Sequence, residues 1–135
     1  MAYAESQPTV SLVAETTFSS GDLYKFLRIS TDNARVSIAD ATTGSKRVVG
    51  TLLSETYTTS TGANEQVTVG LLRGIGKVYM AASTLSNGGI IGCSSEGFGV
   101  APTTNYVPLG YIVDGASGTT GRIHSVLFVP ESDLP

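Results

Sequence analysis

The sequence predicts a small all-β fold: a single-domain β-barrel or sandwich of about eight or nine short strands with an extended N-terminal arm. Three observations lead there. Apolar residues recur with a period of two in EQVTVGLLRGIGKVYM (65–80), YVPLGYIV (106–113) and RIHSVLFV (122–129). No stretch keeps a 3.6-residue apolar period over about three turns. Glycines at 70, 74, 76, 92, 97, 99 and 110 fall in or beside the apolar runs. There they mark the bulges and bends by which a small barrel turns its corners.

The elements follow in order. Residues 1–20 mix Ala, Ser, Thr and Gln with Tyr3, Val10, Leu12, Val13 and Phe18, and Pro8 biases Gln7 toward extended backbone. This segment reads either as an arm reaching a neighbour or as the first strand, TVSLVAETTF. Residues 20–22, Ser-Gly-Asp, make a turn. Residues 23–30 (LYKFLRIS) alternate and are rich in aromatic and branched side chains, which suits a strand. Residues 31–34 turn, 35–39 form a short strand, and 40–45 turn again. Residues 47–54 (RVVGTLLS) are apolar enough to be buried on both faces, and 57–64 are a polar loop. In 65–80, Arg73-Gly-Ile-Gly-Lys77 separates two sheet segments that meet at a glycine bend or tight turn. Residues 81–87 fit a helical turn or a loop, 90–93 a short strand, and 94–105 an exposed Gly/Ser/Thr/Pro loop. The final strands are 106–113 and 122–129. The runs 67–72 and 122–129 hold more apolar side chains than one small barrel hides, which predicts a subunit contact. The organisation is therefore 1–20 as arm or first strand, 21–130 as the β domain, and 131–135 as a short acidic tail.

Composition narrows the function. With 135 residues, one domain is expected, and it buries roughly two thirds of its unfolded surface without a staple. Charged residues are 14% and hydrophobic ones 41%, which excludes a disordered chain. The net charge is −3 and no basic cluster exceeds Lys46-Arg47, so nucleic-acid binding is not expected. A single cysteine, Cys93, allows no intrachain disulfide and reads as a small buried hydrophobe. No apolar run reaches the ~20 residues of a membrane helix, and the N-terminus lacks the features of a secretory signal. Synthesis in a cytoplasm, with no membrane partner, is the expectation.

The chemistry-bearing residues do not assemble into a motif. Gly74-Ile-Gly-Lys77 has Leu71 where a phosphate loop needs glycine, and Val78 where it needs Ser or Thr. His124 is the lone histidine, and its neighbour Ser125 points to the opposite face of a strand. It reads as a strand residue facing solvent or a subunit contact. One His and one Cys cannot build a zinc site of usual composition. The carboxylates lie mostly at turns. No enzyme, cofactor, metal or small-molecule substrate is expected.

Read together, Val49-Gly50-Thr51-Leu52, Val67 to Gly70, Ala82 to Gly88, Leu109-Gly-Tyr-Ile-Val-Asp114 and Arg122 to Phe128 resemble the capsid cement, or head decoration, proteins of tailed bacteriophages. The resemblance spans most of residues 20–129 and rests on glycines and aliphatics. It implies a structural protein on the outer surface of an expanded phage head, a homotrimer that bridges neighbouring major capsid proteins. If the N-terminal segment is an arm and not the first strand, its apolar residues Tyr3, Val10, Leu12, Val13 and Phe18 are the expected capsid-binding set. The alternative is a receptor- or carbohydrate-binding module of a head fibre, using Tyr57, Phe98 and Tyr106.

Overall fold

The structure is a computed structural model that describes residues 7–30, 34–39, 48–56, 65–81, 88–94, 96–101, 108–113 and 122–129. Expectations that fall on Tyr3, Tyr57, Tyr106, residues 82–87 and the 131–135 tail lie outside the described residues. Ten strands are described: β1 (Thr9–Val13), β2 (Phe26–Ile29), β3 (Val36–Ile38), β4 (Val48–Leu52), β5 (Gln66–Leu71), β6 (Gly74–Met80), β7 (Ile90–Cys93), β8 (Gly99–Val100), β9 (Pro108–Ile112) and β10 (Arg122–Phe128). Among the described residues the one helical piece is a 3-10 turn at Ser20–Asp22. The all-β expectation holds, and the architecture has two parts.

The first part is an open sheet in the order β1-β5-β4-β2-β3, with every neighbouring pair antiparallel. Its ends, β1 and β3, meet through one isolated bridge, Ala14 to Val36. The sheet therefore curls round a core of Ala14, Phe18, Leu27, Val36, Leu52, Val67 and Val69. The second part is a closed barrel, β10-β6-β8-β7-β9. Val78, Met80, Ile91, Cys93, Leu109, Ile112, Val126 and Phe128 fill it. Phe26 and Ala39 come from the open sheet and belong to the barrel's core, with Val48 and Leu72 packed against them. Neighbours in a strand face opposite ways, so Phe26 enters the barrel while Leu27 enters the sheet's own core. The outer face of the sheet thus closes one end of the barrel.

Local chemistry explains the corners. Asp22 accepts from the Ser19 amide at 2.9 Å and pairs with Lys25 at 3.1 Å, which closes the 3-10 turn. Tyr24 then adopts φ 68°. This left-handed conformation costs of order 1 kcal/mol in a non-glycine residue. It sets the Tyr24 amide on the Leu52 carbonyl of the sheet and the Tyr24 carbonyl on the Tyr79 amide of the barrel, at 2.8 and 2.9 Å. The expected strand over 23–30 is accordingly shortened to Phe26–Ile29. The glycine bend after Leu71 is present, with Gly74 at φ 67°, but its two arms belong to different sheets.

Two expectations are corrected. The loop expected at 94–105 contains β8, whose Gly99 is buried and pairs in parallel with Met80 of β6. A Cβ at Gly99 would press on Met80 and Val78, so the small residue that suggested a loop is what allows the close strand approach. His124 is not on the solvent face. It pairs across from Val78 on the same side as Val126 and Phe128, and it is only 7% exposed.

Candidate interaction surface

The barrel's outer face carries the feature that a core does not explain. In β10 the even-numbered residues His124, Val126 and Phe128 are buried, while Ile123 and Leu127 remain 44% and 38% exposed. Directly opposed residues share a face. Leu127 lies opposite Ile75 of β6 on one side and Tyr111 of β9 on the other, and Tyr111 lies opposite Ile90 of β7. Ile75, Leu127, Tyr111 and Ile90 thus form one row across four strands. A second pair, Ile123 and Tyr79, runs alongside it, with exposed Lys77 and buried Ser125 between. A bulge at Ile91/Gly92 leaves Leu109 as an extra residue on β9 and lets it turn into the core while Tyr111 stays outside. The signal was legible in RIHSVLF, which is apolar at both parities.

The described N-terminal candidates, Val10, Leu12, Val13 and Phe18, differ in burial. Phe18 is 1% exposed in the sheet's core, and Thr56 brackets its backbone: the Phe18 amide donates to Thr56 Oγ1 and the Thr56 amide donates to the Phe18 carbonyl, both at 3.1 Å. Leu12 packs against the same core and Val13 is half-buried. Val10, opposite Val69 at the sheet's rim, is 37% exposed. Over residues 9–13 the segment is the first strand of the sheet.

Of the aromatic residues considered for sugar binding, Phe98 is described. It stacks on Tyr79 with ring centroids 5.3 Å apart, and Lys25 Nζ sits 5.2 and 5.8 Å from the Phe98 and Tyr79 rings. Lys25 is held there by Asp22. The cluster spans the junction between sheet and barrel and leaves both rings half-exposed. Cys93 is fully buried and donates to the Ser94 carbonyl at 3.1 Å, as expected of a small core residue. His124 Nε2 is buried and has no hydrogen-bond partner among the described residues.

Fold and surface together define a small all-β protein in which an open sheet stoppers a closed barrel and an apolar row is left on the barrel's outside. This architecture is similar to the crystal structure of the head fibre gp8.5 N base of bacteriophage phi29. The two share 16% sequence identity with a TM-score of 0.60, over 91% of this chain and 94% of that one. No family model matches the sequence. No curated protein matches it.

Proposed function

We propose that this chain is a structural protein of a tailed-phage head, a decoration or cement protein seated on the outer capsid surface and bridging neighbouring major capsid proteins. The observation that carries the reading is the fold shared, over nearly the whole of both chains, with a protein whose name places it at the base of a phage head fibre. The outer row of Leu127, which is exposed, with partly buried Ile75, Tyr111 and Ile90 supports it, because apolar side chains aligned across a barrel wall suit a flat protein contact better than a ligand pocket. In this reading the row joins copies into a closed homotrimer, one heterologous contact used three times. Among the described members of the N-terminal set, Val10 has the exposure that suits contact with the shell. Three attachments per trimer then add through effective concentration, so weak individual contacts hold firmly.

The test is co-sedimentation of the purified protein with empty expanded heads, followed by heating of the decorated and bare shells. Binding at saturable sites and a raised shell melting temperature are expected. A protein that stays in the supernatant at every concentration refutes the proposal. A second reading, a receptor- or carbohydrate-binding module of a head fibre, is favoured by the half-exposed Tyr79–Phe98 pair beside Lys25. Glycan-array binding lost in Phe98→Ala would select it.

A further inference from the structure

Gln7 occupies a slot that two glycines create. Gly70 lies on β5 of the open sheet and Gly76 on β6 of the barrel, and a Cβ at either position would overlap the Gln7 carboxamide. Neither glycine has positive φ, so the need is for space and not for an unusual backbone. Within the slot, Gln7 Nε2 donates to the Leu71 carbonyl at 2.9 Å and to Thr51 Oγ1 at 3.3 Å. Next along the chain, the Pro8 carbonyl accepts from the Leu71 amide at 2.8 Å. Gln7 and Pro8 therefore engage both backbone groups of Leu71, the last residue of β5 before the chain crosses to the barrel, whose carbonyl also accepts from the Arg73 amide at 2.8 Å. Thr51 is fully buried, and this contact supplies its hydroxyl with a donor.

The strand that Gln7 leads is otherwise lightly held. Among named strands β1 pairs only with β5. Its first three residues are exposed, and Leu12 is its one side chain packed on the sheet's core. The next firm anchor is Ala14, whose amide donates to the Glu65 carbonyl at 2.7 Å and which bridges to Val36. A strand pinned at its far end and keyed at its near end is a strap with a latch.

We propose that Gln7 is that latch: its carboxamide, seated between Gly70 and Gly76, holds β1 closed on β5, and its release lets residues 7–13 open as a unit about Ala14 while barrel and sheet remain folded. The latch reads chemistry as well as shape. The Leu71 carbonyl can only accept, so a donor is required there, whereas the Thr51 hydroxyl can also donate. A carboxylate of the same outline presents only acceptors to the Leu71 carbonyl.

Hydrogen exchange of the full-length protein tests the proposal. In Gln7→Glu at neutral pH and in Gln7→Ala, the amides of β1 and their β5 partners are expected to exchange about tenfold faster or more, with barrel amides unchanged. Gly76→Ala, which fills the slot, should produce the same local opening. Adding it to Gln7→Ala should produce little more, because the two changes remove one interaction. Unchanged β1 exchange in Gln7→Glu and Gln7→Ala overturns the latch. Faster exchange spread equally over the barrel overturns the strap. A Gly76→Ala effect that persists undiminished in the Gln7→Ala background shows that the glycine serves something other than Gln7, and also refutes the proposal.

Discussion

The open sheet and the closed barrel each have five strands and an apolar core, and they solve burial in opposite ways. In the barrel every strand has two neighbours, so hydrogen bonding closes the wall and leaves no edge. Its interior is completed from outside, by Phe26 and Ala39 of the sheet. Phe26 meets Phe128 edge-on, with centroids 6.4 Å apart and planes at 72°. The sheet keeps two edges that, among the described residues, meet at the Ala14–Val36 bridge, where the Glu15 amide also donates to the Val36 carbonyl at 2.9 Å, and it covers its core with residues outside its strands, among them Ala14, Phe18 and Leu23. The barrel can therefore leave Ile123 and Leu127 outside. The sheet needs its N-terminal segment to stay closed.

That contrast is most severely tested by deleting residues 2–17. The deletion removes β1, the Gln7 contacts and the Ala14 bridge, and it bares the edge of β5 beside Val67 and Val69. Unfolding or aggregation is expected by circular dichroism and light scattering. A truncated protein that melts cooperatively near the full-length temperature would show that the sheet closes without β1, and would return these residues to the role of an arm.

Substitution in the two cores comes next. Phe26→Ala should cost about 3–5 kcal/mol in urea unfolding, at the upper end because it opens the barrel from a strand of the sheet. Phe18→Ala should cost a similar amount or slightly less. If the parts are as interlocked as Phe26 implies, both variants unfold in one transition at every probe. Two separated transitions in Phe26→Ala would instead make sheet and barrel independent.

A smaller effect is expected at His124. Its Nε2 is buried and has no partner among the described residues, and a buried polar atom left unsatisfied costs about 1–3 kcal/mol. His124→Met keeps the reach and removes that cost. The expected outcome is unchanged stability or a gain of about 1 kcal/mol. A clear loss would mean that the imidazole serves the barrel in some other way.

The smallest change in stability is expected on the barrel's outside. Leu127→Ser and Ile123→Ser should alter the unfolding free energy by about 0.5 kcal/mol, the range of surface substitutions. If the row is an interface between copies, the same variants should shift the sedimentation-equilibrium mass toward monomer. An unchanged mass distribution in the double variant would remove the row from the assembly.

Much of the strand content was legible from the chain because alternation is local. Val67, Val69, Val78, Ile91 and Val126 each stand in a run whose period identifies a strand and separates its two faces. The same runs do not say which face is covered. In RIHSVLF both parities carry apolar residues, so the inward turn of His124 and the exposure of Leu127 were set by β6 and β9, whose partner residues are distant in sequence. The crossing at Leu72-Arg73 is read locally as a bend, but only packing assigns β5 to the sheet and β6 to the barrel. Most hidden of all was Gln7. In the sequence it is a polar residue before a proline. Its partners Thr51 and Leu71 lie 44 and 64 residues away, and the glycines that admit it sit on two different sheets. Period and propensity report neighbours along the chain. A slot formed by two strands and filled by a third segment exists only after all three have met, so tertiary structure alone decides it.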